Sequence, residues 1–87
     1  MKSPKEIVQG MLDNDAFSQL LGMKVLDIDL GSCKLSCPVT ASTTNGFGIA
    51  HGGLTYSLAD SALAFAANSR GWQCVSIDTQ IAHLSKV

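Results

Sequence analysis

A lone carboxylate inside a long apolar segment constrains this chain more than any other feature. Between Leu35 and Ile77 the only formally charged side chains are Asp60 and Arg70, and Asp60 sits in the middle of GGLTYSLADSALAFAANSR, residues 52–70. A stretch so poor in charge is expected to be buried, and an ionised group within it needs a partner or a chemical task. Two readings of Asp60 stay open at this level. It can cap a backbone amide or pair with a cation of a neighbouring element, or it can be a general base or nucleophile tuned by its apolar surroundings.

The same segment has helical spacing. Leu54, Leu58, Ala62, Phe65 and Ala66 fall on one stripe, and Gly53, Ser57, Asp60, Ala64 and Ala67 fall on another. A helix apolar nearly all round is expected at the centre of a structure. The second stripe is made of small residues, so a neighbour can come close where Asp60 points. Gly71 is expected to end the helix, with Arg70 favourably placed in its last turn.

The remaining elements follow in order. Ser3-Pro4-Lys5-Glu6 reads as a helix start, with Ser3 as N-cap, Pro4 at the first helical position and Glu6 closing a capping box. Ile7, Val8, Met11 and Leu12 recur at helical spacing up to about Asp13. Asn14 and Asp15 make a turn, and residues 16–21 form a short helical turn ended by Gly22. Residues 23–30 alternate Leu26, Ile28 and Leu30 with Asp27 and Asp29. Residues 33–39 alternate Cys33, Leu35, Cys37 and Val39 with Lys34 and Ser36. Both have the period of a half-buried strand, and Gly31-Ser32 between them predicts a hairpin, with Pro38 confining the second strand to an end or an edge. Residues 40–50 lack either period and read as a loop, whereas residues 72–84 alternate again and predict a last strand.

Composition narrows the function classes. The chain has 87 residues, 46% hydrophobic and 15% charged, with a formal net charge of −1. One domain spanning residues 1–87 is expected, without disorder. Six scattered cations make no basic stripe, which argues against nucleic acid as a partner. Serine, aspartate and asparagine interrupt the longest apolar run, and the first residues include a lysine, a proline and acidic residues instead of a basic-then-apolar leader. No membrane association and a cytoplasmic location are therefore expected. Cys33, Cys37 and Cys74 are odd in number and lack a tight pair, so they are read as buried small hydrophobes in a reducing compartment. A zinc set built from Cys33, Cys37 and His51 or His83 is disfavoured, because structural zinc sites bring four ligands in closer pairs, and no metal or other cofactor is expected. A domain this short buries only roughly 60–65% of its unfolded surface, and with so apolar a sequence, oligomerisation is the expected remedy.

The candidate chemistry lies at the start of the long helix. His51 alone reads as a hydrogen-bonded loop residue. Gly52 and Gly53 say more, because amides at a helix start have no helical acceptor and sit at its positive end, an arrangement suited to a carbonyl oxygen or an oxyanion. Gly52 and Asp60 are eight residues apart, about 12 Å along a helix axis. A carbonyl held at the glycine amide is then out of reach of the same chain's Asp60. If both act on one substrate they come from two chains, in a two-fold dimer whose small-residue stripes face each other.

Asn45-Gly46, His51-Gly52-Gly53, Leu58-Ala59-Asp60, Ser69-Arg70-Gly71 and Val75-Ser76-Ile77-Asp78, in that order, resemble the hotdog-fold acyl-CoA thioesterases of the phenylacetate-degradation type from about Met11 to Leu84. The resemblance implies an α+β fold in which a long central helix packs on a curved antiparallel sheet. It further implies that Asp60 activates water or attacks the thioester carbonyl. Gly52 of the other subunit, with His51 near it, polarises that carbonyl; Asn45 places the thioester, and Ser76 lies near the attacking water. Gly53, Phe47 and Ser57 are implied on the substrate side. The implied substrates are aryl or short- and medium-chain acyl esters of coenzyme A, handled by a homodimer or a dimer of dimers. Coenzyme A enters only as part of the substrate. A serine hydrolase is disfavoured, since Ser57 and Ser61 lack the nucleophile elbow. Chains of that family continue past the equivalent of Leu84 with strands that fill the centre of the sheet. Here the expectation is either a piece of a longer protein or a sheet that closes differently. The alternative reading is a catalytically inactive relative that binds acyl-CoA or serves in oligomerisation.

Overall fold

The chain order is helix, short helix, hairpin, loop and long helix, followed by an extended segment; the structure is a computed structural model and describes residues 2–85. Helix α1, Pro4–Asp13, starts as its sequence predicts: Glu6 N donates to Ser3 Oγ and Ser3 N donates to Glu6 Oε1, both at 3.2 Å. The hydrogen bonds to Ser3 hold the Glu6 carboxyl below its ordinary range. Helix α2, Ala16–Leu20, is capped by Asp15, and Gly22 takes a positive φ of 75° as the chain leaves it.

Strands β1, Lys24–Asp29, and β2, Ser32–Ser36, form the expected antiparallel hairpin. Gly31 turns it with φ 74°. That positive φ favours glycine there, and a side chain would also have to displace the end of the Arg70 side chain, 2.6 Å from an added Cβ. The predicted inner face needs correction. The register slips between Val25 and Asp27, so Leu26 is the extra residue of a bulge and is 60% exposed. Val25 and Ile28 face inward in place of Leu26 and Ile28, and Leu30 and Val39 are also exposed. An inserted residue reverses strand alternation from that point on.

Helix α3, Gly52–Asn68, is the long helix, and it ends earlier than Gly71. Ser69 is its C-cap, and Gly71, with φ 95°, carries the chain away. The core is the meeting of three elements on Phe65 of α3, 1% exposed, with Val8 of α1 and Ile28 of β1; Met11, Leu12, Val25, Cys33 and Leu35 pack around them. A two-stranded hairpin is marginal alone, and here its inner face is covered by α3. The hairpin turn is also tied to the helix end, where Gly31 N donates to Ser69 Oγ at 2.8 Å.

Residues 72–84 do not form the predicted strand. Among the described residues they have no ladder partner, because a strand exists only as one side of a pair. They run extended and antiparallel to α3. Asn68 Oδ1 and Nδ2 hold the Cys74 backbone at 2.8 and 3.0 Å, the Tyr56 hydroxyl meets Thr79 Oγ1, and His83 lies against Gly52. Their apolar side chains are open, Ile77 at 97% exposure, and Cys74 is exposed where a buried thiol was expected. Among the described residues the arrangement is α+β, a long helix on a two-stranded antiparallel sheet, in line with part of the expected architecture.

Truncating the keystone of this core should be severe. Phe65→Ala should lower the unfolding free energy by about 3–5 kcal/mol, whereas Leu26→Thr at the exposed bulge should change it by less than about 1 kcal/mol. Urea unfolding followed by circular dichroism distinguishes the two.

Candidate active site

Residues 40–51 deliver the chain to the start of α3. A short 3₁₀ turn, Ala41–Thr43, is followed by a bridge between Thr44 and Ala50 that pinches the loop closed. Within the pinch Asn45 Oδ1 accepts from Phe47 N at 2.9 Å and from Ile49 N at 3.4 Å, and Gly48 takes φ 76°. The carboxamide oxygen is therefore occupied by the loop, which fixes the ring of atoms and leaves the Nδ2 hydrogens as donors. Phe47 stands exposed at the loop tip.

His51 is the N-cap of α3. Its backbone is extended, its N–H donates to Thr43 O at 2.8 Å, its carbonyl accepts from Leu54 N at 2.9 Å, and its Nδ1 accepts from Gly53 N at 2.8 Å. A Cβ on residue 53 would lie 3.0 Å from that ring nitrogen, tighter than nearly all real contacts, so the glycine keeps room for the cap. Among the described residues no acceptor engages Gly52 N, so this amide is the open donor at the helix tip.

Asn45 and Gly52 line one open cavity of about 400 Å³ together with Thr55 and His83. His51, Gly53 and Ser57 line another, of about 260 Å³, on the other side of the tip beside Phe17 and Thr43. Ser76 lies far along α3, in a hollow of about 220 Å³ against Ala64 and Ala67. Asp60 faces solvent in the single chain, one of four exposed residues of α3 with Gly53, Ala59 and Leu63. Eight residues place it about 12 Å from Gly52 along the helix axis. The sequence names His83 only as a disfavoured zinc ligand and does not single out Thr55. Nothing in the local pattern marks them, since His83 reaches the tip only because the extended segment is long enough to retrace α3.

Burial raises the thiol pKa of Cys33, with the charge of Asp27 adding to it, and burial also raises that of Cys37. Among the described residues no three His, Cys, Asp or Glu side chains gather as a metal site, and no helix is long and apolar enough to cross a membrane. Two measurements check this geometry. At pH 8 iodoacetamide should alkylate exposed Cys74 before Cys33 and Cys37, as read by peptide mass mapping. His51→Ala should lose about 0.5–2 kcal/mol of stability through the missing cap, and His51→Asn should keep most of it, by thermal melts.

No family model matches the chain. It is 41% identical over 66 residues to the acyl-coenzyme A thioesterase PaaI of Escherichia coli K12, a match covering 76% of this chain and 47% of that protein. It is 33% identical over 88 aligned positions to human acyl-coenzyme A thioesterase 13, covering 97% of this chain and 62% of that one. The solved structure of the E. coli PaaI protein from the phenylacetic acid degradation operon superposes with a TM-score of 0.91 at 35% identity, over 95% of this chain and 60% of that chain. The chain thus spans about half the length of the E. coli relative. By sequence and by fold it belongs to the hotdog-fold thioesterase family of the phenylacetate-degradation type.

Proposed function

We propose that residues 1–87 act as a single hotdog domain that hydrolyses aryl or short- and medium-chain acyl-CoA thioesters at a site shared by two copies. One observation carries the reading: Asn45 and Gly52, whose amide no acceptor among the described residues engages, line one cavity, while the carboxylate that could activate water stands exposed on the same helix, beyond reach. A second copy packed antiparallel along α3 would bring its Asp60 towards the tip that carries Gly52.

In that arrangement the thioester carbonyl oxygen accepts from Gly52 N and from Asn45 Nδ2. Asp60 of the other copy takes a proton from water as the water oxygen bonds to the carbonyl carbon. The negative charge develops on the carbonyl oxygen, next to the helix tip, where fixed donors stabilise it best. Collapse of the tetrahedral intermediate breaks the C–S bond, and the coenzyme A thiolate leaves with the acid as co-product. Asp60 can instead attack the carbon directly, giving an anhydride that water then opens. His51 keeps Gly52 and Gly53 at the tip by capping, Phe47, Gly53 and Ser57 border the acyl side, and Ser76 lies towards the water. No cofactor takes part.

A second reading has its own support. The solvent-open course of residues 72–85, without a strand partner among the described residues, favours a catalytically inactive relative that binds acyl-CoA or serves in oligomerisation. Offering phenylacetyl-CoA and short and medium acyl-CoAs, with released thiol followed by colour, separates the two. Turnover should fall by about 10²–10⁴ in Asp60→Asn. Gly52→Val should lower kcat at least about tenfold, because a branched side chain at the tip crowds the approach of the carbonyl to the helix amide. Saturable binding without turnover would instead support the inactive module.

A further inference from the structure

An apolar helix is poorly fixed in rotation by hydrophobic packing alone. The fully buried side of α3 has two large apolar residues, Leu54 and Phe65, and two polar ones, Ser61 and Asn68. Four polar attachments along the helix and its cap supply the missing rotational specificity: Tyr56 to Thr79, Ser61 to Ser18, Asn68 to the Cys74 backbone, and Ser69 to Gly31 N. Ser61 is the one adjacent to Asp60.

The Ser61 attachment is also the driest. Ser18 is 0% exposed and Ser61 9% exposed, and their hydroxyl oxygens are 2.9 Å apart. Ser18 Oγ donates its only hydrogen to Asp15 Oδ2 at 2.7 Å, so Ser61 must be the donor to Ser18. Asp15 is held in turn, because its Oδ1 accepts from Ser18 N at 3.0 Å as the N-cap of α2. The chain of donors runs Ser61 to Ser18 to Asp15 and ends on a fixed carboxylate. A rotation of α3 by even a fraction of a residue would break it and leave buried hydroxyls unpaired.

We infer that the Ser61–Ser18–Asp15 chain positions Asp60, by locking the rotation of α3 at the turn that carries the carboxylate. The inference rests on the thioesterase reading above, and these are positioning residues, since none of them touches the substrate. It assigns a task to two buried serines 43 residues apart, and it predicts a change in kcat at constant KM, because acyl-CoA binding does not depend on the direction of Asp60.

The test uses Ser18→Ala, Ser61→Ala, the double variant, Ser61→Thr and Asp15→Asn in the intact protein, with phenylacetyl-CoA. Each alanine variant should lose about ten- to a hundredfold in kcat with KM unchanged. The double variant should be no worse than the more affected single one, because the two serines act as a unit. Ser61→Thr, which restores the hydroxyl, should recover most of the rate. Asp15→Asn keeps the helix cap and remains folded, and should lower kcat at least about threefold, so the inference stays testable if an alanine variant does not fold. Unchanged kcat in folded alanine variants, losses that multiply, or a proportionate rise in KM would overturn the inference while leaving the thioesterase reading intact. A parent protein without turnover would overturn both, and the parent assay alone identifies that case.

Discussion

Burial of Phe65 between Val8 and Ile28 is the contact on which the rest depends. It is where α1, β1 and α3 meet, and these three residues make up the buried core cluster. Each element alone is marginal: a helix of ten residues and a two-stranded hairpin do not persist in water by themselves. Packed on one phenyl ring, they orient α3 with its start at the end of the loop of residues 40–51 and with Asp60 exposed, while residues 74–76 lie against Ala64 and Ala67 of the small-residue stripe. The candidate site follows that packing, since the loop pinched at Thr44 and Ala50 carries Asn45 and leads directly into the start of α3.

Local signals in the sequence proved legible, and non-local ones did not. The capping box at Ser3 and Glu6, the end of α2 at Gly22 and the hairpin turn at Gly31 each rest on hydrogen bonds or dihedrals within a few residues, so the residue types suffice to read them. The bulge at Leu26 is different. Whether Leu26 or Val25 turns inward depends on how β1 registers with β2 and on what α3 offers beneath it, and neither is written in the alternation. Residues 72–84 show the same limit more strongly, because alternation states a preference for a pleated surface and cannot supply the second strand.

The site divides along the same line. Gly52 as an open donor could be anticipated from the rule that helix starts leave amides unpaired, whereas His51, which reads as a loop residue, takes the Gly53 amide as the N-cap. Asp60 could be picked out as an anomaly of charge. The meeting of His83 with Gly52, and of Ser18 with Ser61, joins residues 31 and 43 positions apart and has no periodic trace. Polar residues in a helix are ordinarily read as its wet side. On α3 Asp60 faces outward as that rule has it, whereas Ser61 and Asn68 face inward against it, because each finds hydrogen-bond partners there.

The rigidity of α3 turns these placements into a requirement for a second copy under the proposed chemistry. An α-helix neither shortens nor bends enough for groups about 12 Å apart along its axis to meet at one carbonyl. Side chains cannot close the gap either, since an aspartate reaches only a few ångströms from its Cα and Gly52 contributes only backbone. A two-fold axis normal to α3 resolves the mismatch without any change within the chain, by laying the start of one helix beside the middle of another. The residues on that face are suited to it. Gly53, Ser57, Ala64 and Ala67 have little bulk, so two helix backbones can approach closely enough for a short carboxylate to cross between them. A larger residue along that stripe would hold the helices apart, and Asp60 would then remain where the single chain leaves it, in water.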